Sequence, residues 1–485
     1  MASLDLPALL LDASQRFASL SALQHPSGKR SYLQMQEAAL ALAHRPDFIQ
    51  RPFQIIAGEQ TWDEYIQIWA SWISGKPFLP LNPKFPEQRQ HNMLEMAERF
   101  FELSAQPTGE PHNPIKPDPL AYLIFTSGST GNPKGIPITQ MQLARYCQTL
   151  QGILNPNAND RVLQLGDLSF DISIMAMAIA WPNGAELCVV PTQHVLMAPR
   201  YAADLDVTIW LSVPSVVNLA AQAGLLAPNS LPHIRLAIFG GEALSYESAK
   251  VFSAAAPNAR LVNFWGPSEG TISLSHFEID RALLENPTPP NPDLAILPLG
   301  FPHVGVELAL WDVDQQSWNA KEGELCVASA QLTLAYLENP QQNAQAFFTH
   351  NQKRWYRTGD LARWHDQYGY GYRGRVDRQI KLKGYRIELQ DCELALRQAS
   401  GCDAVGVVPW GPNSSPAIQS LIGFIGKPAP LHLAQEQEAI FKKLHALLPN
   451  YMIPQQLIFL DSLPLNSSGK IDFKALESKA YELVG

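Results

Sequence analysis

Cysteine is scarce in this chain and has no pattern. Five occur among 485 residues (Cys147, Cys188, Cys326, Cys392 and Cys402), an odd, scattered set without a CxxC pair. That excludes a disulfide framework and a zinc-ribbon site, and reads as buried free thiols in a reducing compartment. Basic charge is also short: 36 Lys and Arg against 45 Asp and Glu give a net charge of −9, which argues against a nucleic-acid footprint. No apolar run approaches the roughly 18–20 residues needed to cross a bilayer. The N-terminus, Met-Ala-Ser-Leu-Asp-Leu-Pro, lacks the basic region of a secretory signal, and Asp5 and Asp12 flank its short apolar run. Neither an internal repeat nor a low-complexity linker is present. The expectation is a soluble cytoplasmic protein with no nucleic-acid or membrane partner.

What is present describes an ordinary globular chain, with 46% hydrophobic and 17% charged residues. Its length is too great for one compact core, so two or more domains are expected. From about Leu120 to Gly266, short apolar runs alternate with amphipathic segments. Val162–Leu165, Leu187–Val190, Val207–Leu211, Leu236–Phe239 and Arg260–Phe264 read as buried strands. Segments near 140–153, 171–180, 215–223 and 246–255 read as helices. This predicts an α/β fold: a large layered N-terminal domain with mostly parallel sheets. After the Pro-rich loop around Pro287–Pro292, a β-richer stretch to about Arg375 reads as a β-barrel-like subdomain. Beyond Asp377 the pattern becomes compact α+β. The expected domains are residues 1–376 and 377–485.

Several motifs carry chemistry. In Tyr122-Leu-Ile-Phe-Thr-Ser-Gly-Ser-Thr-Gly-Asn-Pro-Lys134-Gly135 a strand-like run enters a loop of glycines and hydroxyls. Such a backbone can turn consecutive N–H groups toward one anion, with Ser127, Ser129, Thr130 and Lys134 adding donors and charge. It is not a Walker A loop, because Pro133 precedes Lys134 and Gly135 follows it. Asn263-Phe-Trp-Gly-Pro-Ser-Glu269 ends a strand with an aromatic, a tight turn and a carboxylate. That suits Trp265 beside a purine and Glu269 on a hard Mg²⁺. Asp360, in Tyr356-Arg-Thr-Gly-Asp360, can accept hydrogen bonds from two ribose hydroxyls. A basic two-faced ribbon spans Tyr372 to Glu388. Leu463-Pro-Leu-Asn-Ser-Ser-Gly-Lys470-Ile-Asp472 places one lysine on a glycine-containing loop.

Taken together, in this order and spacing, these segments resemble the adenylate-forming superfamily of acyl-CoA synthetases, luciferases and peptide-synthetase adenylation domains, from about Ala121 to Phe473. The resemblance implies an enzyme that activates a carboxylic acid with ATP and Mg²⁺. It implies nucleotide contacts from Thr126, Ser127, Gly128, Ser129, Thr130, Lys134, Gly241, Glu242, Asn263, Trp265, Gly266, Ser268, Asp360 and Arg375. Glu269 would be the metal ligand and Lys470 the catalytic lysine. Asp377 would be the hinge of a mobile C-terminal lid domain. The loop Lys383-Gly384-Tyr385 would face an incoming pantetheine thiol once that domain has rotated and Lys470 has withdrawn.

The acid itself is read from Phe170-Asp171. In amino-acid-activating members this resembles the aspartate that pairs with the substrate ammonium, although an aspartate opening a helix also serves as its cap. Carried over by position, the substrate pocket is Asp171, Ile172, Met175, Leu211, Ile238, Gly240, Phe264, Ile272 and Ser273, closed by Lys470. Apart from the two charges the wall is apolar, which excludes charged and amide side chains. The pattern is similar to proline-activating enzymes of toxin and secondary-metabolite biosynthesis, with Met175 and Phe264 departing from it. The expected substrate is therefore an apolar amino acid, L-proline first, with valine, alanine or a ring analogue of proline left open. Lys470 lies near the C-terminal end, and no carrier segment follows. The expectation is a free-standing enzyme that loads a separate phosphopantetheine carrier protein. The alternatives are a D-alanine–carrier protein ligase, an acyl- or aryl-CoA ligase, and a non-catalytic nucleotide-binding protein.

Overall fold

The computed structural model describes residues 5–105, 119–126, 133–312, 315–318, 321–411, 418–427, 432–465 and 471–484. The chain forms two compact units. The first comprises Met1–Asn82, Met96–Phe125 and Gly135–Val376; the second comprises Pro83–Glu95, Thr126–Lys134 and Asp377–Gly485.

A nine-stranded sheet organises the first unit. Its order is Phe301–Pro302, Ser275–Ile279, Arg260–Trp265, Leu236–Phe239, Ile209–Ser212, Arg161–Gln164, Glu186–Val189, Ser21–His25 and Gly28–Ser31. The strands from Arg260–Trp265 through Ser21–His25 pair in parallel, and antiparallel pairs close both edges. Leu-Ala-Ile-Phe at 236–239 shows why such a strand is apolar throughout. Leu236 and Ile238 enter one buried cluster while Ala237 and Phe239 enter another. Successive side chains point to opposite faces, and helices cover both. The helices Gln140–Leu154, Asp171–Ala180, Pro214–Gln222 and Tyr246–Ala255 stand where the periodicity predicts them.

One strand starts later than its apolar run suggests. Val207 is buried but precedes the strand Ile209–Ser212. Asp206 is left-handed at φ 47°, and the Thr208 hydroxyl is spent on Asp160 at 2.8 Å. The turn consumes two residues of the run.

A second, four-stranded sheet runs Gln54–Ile56, Phe78–Pro80, Leu120–Thr126 and Lys134–Thr139. The β-rich stretch is an antiparallel sheet in the order Ser317–Trp318, Val306–Asp312, Glu322–Ser329, Lys353–His365 and Phe347–His350, with Gly369–Arg375 also on Lys353–His365. The second unit is mixed α+β. Its hairpin Gln379–Leu382 and Tyr385–Glu388 turns through Lys383 at φ 53° and Gly384 at φ 81°. Both central residues are left-handed, as a two-residue primed turn requires. The helix Leu389–Ser400 stops at Gly401 in the left-handed conformation. It packs with Leu433–Leu447 on a three-stranded sheet through Leu396, Ile425 and Leu444. Among the described residues no helix is long and apolar enough to cross a membrane.

Candidate active site

In the first unit most of the residues singled out by the motifs gather at the carboxyl ends of the parallel strands, where open α/β sheets place ligands. Asp171 opens the helix that follows Arg161–Gln164. Gly240, Gly241 and Glu242 follow Leu236–Phe239, and Asn263, Phe264 and Trp265 end the next strand. Gly266 is sterically obligatory there. A Cβ on it would lie 2.4 Å from Ser273 Cα and 2.7 Å from the Ile272 carbonyl oxygen. The obstruction is backbone and cannot rotate away. Gly266→Ala is expected to cost roughly 1–3 kcal/mol of stability, read as a lowered thermal midpoint together with weakened ATP binding.

Two polar assemblies flank this edge. Asp360 is buried, at 3% exposure. Its Oδ2 accepts the Trp265 indole N–H at 2.9 Å and its Oδ1 accepts an Arg375 guanidinium N–H at 2.5 Å. Register across the sheet places Asp360 directly opposite Arg375. The turn ahead of it is tied by Thr358, whose hydroxyl accepts from the Asp360 N–H at 3.0 Å and donates to the Leu325 carbonyl at 2.6 Å. A carboxylate has about four acceptor positions, so two such bonds leave capacity for a ligand hydroxyl. The second assembly centres on Glu269, fully buried in a short 3₁₀ turn. The Tyr336 hydroxyl donates to its Oε1 at 2.7 Å and stands 3.2 Å from the Tyr356 hydroxyl. Tyr336, Tyr356 and Thr358 were not foreseen as site residues; Tyr356 and Thr358 lie inside a quoted motif, but Tyr356 meets Tyr336 and Thr358 meets Leu325 across 20 and 33 residues of chain.

Most of the expected apolar pocket residues fall in the main buried cluster of the first unit. Met175, Leu211, Ile238, Phe264 and Ile272 belong to a single buried cluster, against which Ile172 packs. Leu211 and Ile238 are in register on adjacent strands. A Cβ on Gly240 would lie 3.2 Å from the Phe264 carbonyl oxygen, a tight contact. Thr271 and Ile272 are both left-handed, at φ 58° and 75°. For two β-branched residues in succession this costs roughly 1–2 kcal/mol each, and it turns the segment so that Ser273 reaches the Tyr146 hydroxyl at 2.7 Å. Asp171 is half-buried. Burial, and secondarily the charge of Asp171, push the Tyr122 and Tyr146 phenols upward. Both stay neutral O–H groups, and the Tyr122 hydroxyl has no hydrogen-bond partner among the described residues.

Some expected nucleotide residues have structural partners of their own. The Glu242 carboxylate accepts the Ser215 N–H at 2.8 Å, in the first turn of the helix Pro214–Gln222. Asn263 donates to the Pro298 carbonyl at 2.8 Å, while its buried Oδ1 has no partner among the described residues. Ser268 begins the turn that carries Glu269. In the second unit Lys134 is buried, its Nζ 3.5 Å from Glu388 Oε1, while Thr126 ends its strand half-buried. Asp377 is exposed and accepts the Gln379 N–H at 3.2 Å. Lys383 and Gly384 form the hairpin turn, and Tyr385 stacks on Tyr451 with ring centroids 3.7 Å apart. Ser127, Gly128, Ser129, Thr130 and Lys470 lie outside the described residues.

Comparison with known proteins agrees with this geometry. The family described as AMP-binding enzyme matches residues 90–337. A D-alanine–D-alanyl carrier protein ligase of Staphylococcus aureus is 28% identical, over 96% of this chain and 98% of its own. The Vibrio cholerae adenylation domain AlmE, solved with glycyl-adenosine-5'-phosphate, superposes with a TM-score of 0.86 at 25% identity, over 99% of this chain and 98% of that one. An artificially fused adenylation–PCP di-domain from Klebsiella oxytoca, NpsA-ThdA, shares the fold at a TM-score of 0.76 and 22% identity, over 93% and 86% of the two chains. With a family match over about half of its length and a nucleotide-type edge built on its parallel strands, this chain belongs to the AMP-binding enzyme family and is an ATP-dependent, AMP-forming ligase.

Proposed function

We propose that this ligase activates a small amino acid, alanine or glycine first, as its aminoacyl adenylate and passes the aminoacyl group to the phosphopantetheine thiol of a carrier protein. The observation that carries this reading is Phe264. Its ring is buried at 3% exposure within the pocket cluster and is backed by the rings of His276 and His303 at 5.7 and 5.6 Å. A wall so braced cannot recede for a large side chain. The similarity to D-alanine–D-alanyl carrier protein ligases and to a domain holding glycyl-adenosine-5'-phosphate supports the same size class. L-Proline is the second reading, favoured by the aliphatic set Ile172, Leu211, Ile238 and Ile272 around Gly240.

In the first half-reaction a substrate carboxylate oxygen bonds to the α-phosphorus of ATP as the bond to pyrophosphate breaks. No protein nucleophile is needed, so catalysis is positioning and charge stabilisation. Asp171 pairs with the α-ammonium. The unpartnered Asn263 Oδ1 is suited to accept from the adenine amine, and Asp360, held by Trp265 and Arg375, to accept from ribose. Lys470 supplies positive charge to the oxygens in flight. Glu269 fits Mg²⁺, which takes one or two protein carboxylates and draws its other ligands from phosphate and water. Among the described residues no cluster of three or more His, Cys, Asp and Glu offers a dedicated metal cage, and a phosphate-bound ion requires none. When bound there, Mg²⁺ neutralises phosphate charge. In the second half-reaction the thiol sulfur bonds to the acyl carbon and AMP leaves.

Amino-acid-dependent ATP–pyrophosphate exchange tests the reading, run with glycine, both alanine enantiomers, L-proline, L-valine, propionate and benzoate. Alanine or glycine is expected to exceed valine by at least about tenfold in kcat/KM, the discrimination a methylene or two provides in an apolar pocket. Dominant L-proline would replace the first reading by the second. Exchange only with the amine-free acids would sink both.

A further inference from the structure

Phe264 has a second side. Across one face of the nine-stranded sheet, Leu211 and Ile238 are neighbours in register. Phe264 stands on the next strand, and His276 lies directly opposite Phe264 on the strand beyond. Strand order thus puts Phe264 between the aliphatic residues and His276. His303 joins from the other end of the edge strand, its backbone N–H donating to the Leu274 carbonyl at 2.9 Å. The three rings form a triangle, with Phe264–His276, Phe264–His303 and His276–His303 centroids 5.7, 5.6 and 5.3 Å apart.

The imidazoles are chemically unspent. His303 is 2% exposed, and neither of its ring nitrogens has a hydrogen-bond partner among the described residues; nor has Nδ1 of His276. The Ser275 backbone opposes the effects of burial and of His276 on the His303 ring. Burial and then the neighbouring His276 lower the His303 pKa to about 3, so the ring is neutral. A neutral imidazole carries one donor and one acceptor. Leaving such groups buried and unmatched costs on the order of 1–3 kcal/mol each. An aliphatic residue would brace Phe264 without that cost.

We propose that Phe264 covers a polar floor made by His276 and His303, and that removing the phenyl ring turns this floor into a subsite that selects a hydroxyl-bearing amino-acid side chain. The inference rests on the reading of Phe264 as a wall of the amino-acid pocket. Serine and threonine match the floor because a hydroxyl both donates and accepts. Valine, nearly the shape of threonine, would leave the imidazoles unpaired.

The test uses the full chain with Phe264→Ala, and Phe264→Ala combined with His303→Leu, in ATP–pyrophosphate exchange with serine, threonine and valine in both enantiomers. Thermal melts accompany each protein, and Phe264→Val replaces Phe264→Ala if the latter does not fold. The single variant is expected to prefer threonine over valine by at least about tenfold in kcat/KM, and the added His303→Leu to bring the two within a few-fold. Valine used as well as threonine, a threonine preference that survives loss of His303, or activation of alanine alone would each overturn the subsite. The parent enzyme's exchange with glycine, alanine and L-proline separates the two failures. If the parent activates no amino acid, L-proline included, the amino-acid reading has failed, and the subsite with it. If it activates one, only the threonine-to-valine ratio is at stake.

Discussion

Lys470→Ala is expected to lower the rate of adenylate formation by roughly 10²–10³-fold or more, the loss seen when one fixed partner of a developing anion is removed, while the protein folds as before. The reaction accumulates negative charge on oxygens, and a lysine ammonium would supply a compensating positive charge there. The described residues on either side show why folding should survive. Leu465 and Ile471 pair as an antiparallel bridge, and the Asp472 N–H donates to the Pro464 carbonyl at 2.8 Å. The helix Phe473–Val484 follows at once, anchored by the buried Leu476 and Ala480. The measurement pairs pyrophosphate exchange with a thermal melt. An unchanged exchange rate would remove Lys470 from the mechanism, and a collapsed melt would make its role structural. ATP affinity is expected to change little, because the lysine serves the transition state more than the bound nucleotide.

Asp171→Asn is expected to reduce kcat/KM for the amino acid by roughly 10²–10³-fold, the effect of truncating one partner of a partly desolvated charge pair. The loss should fall mainly on KM. Asparagine keeps the shape, so the pocket persists, but the substrate ammonium is desolvated without a counter-charge. Propionate serves as the internal control: lacking an ammonium, it should be used no worse by the variant than by the parent. The structure makes Phe170 the N-cap, with no side-chain cap bond, and puts Asp171 in the first turn, so equal losses for alanine and propionate would reduce Asp171 to a first-turn acidic residue. The neighbours of Asp171 favour the charge role. Tyr122 and Tyr146 are kept neutral by burial and by its carboxylate, and the Tyr146 hydroxyl is directed to Ser273.

Much of the fold could be read in the chain because its periodicities are local. The strand at 236–239 and the helices at 171–180 and 246–255 are apolar or amphipathic at the right spacing, and their ends carry turn residues. The capping box of Thr139 and Gln142 starts the helix at 140, and Asn155 in the left-handed conformation ends it. Glu242 was harder to read. Its position after a strand suits a nucleotide, yet its carboxylate also ties down the first turn of the helix Pro214–Gln222. A carboxylate beside a glycine in a loop has the same sequence appearance in either role. The left-handed Thr271 and Ile272 were not legible either, since nothing in β-branched residues announces a positive φ; the surrounding packing imposes it.

The sequence by itself determined which segments are strands or helices, which loops carry glycine, hydroxyl, lysine or carboxylate, and therefore the family and its ATP chemistry. Contiguous residues carry that information, because turn geometry and alternation act over a few bonds. Only the tertiary structure decided who partners whom. Trp265 meets Asp360 across 95 residues of chain, Tyr336 meets Glu269 across 67, and His276 and His303 converge on Phe264. Those partnerships depend on strand order and register. A period of two tells which side of a sheet a residue faces, but its neighbour on that side is set by which strand the fold lays alongside it.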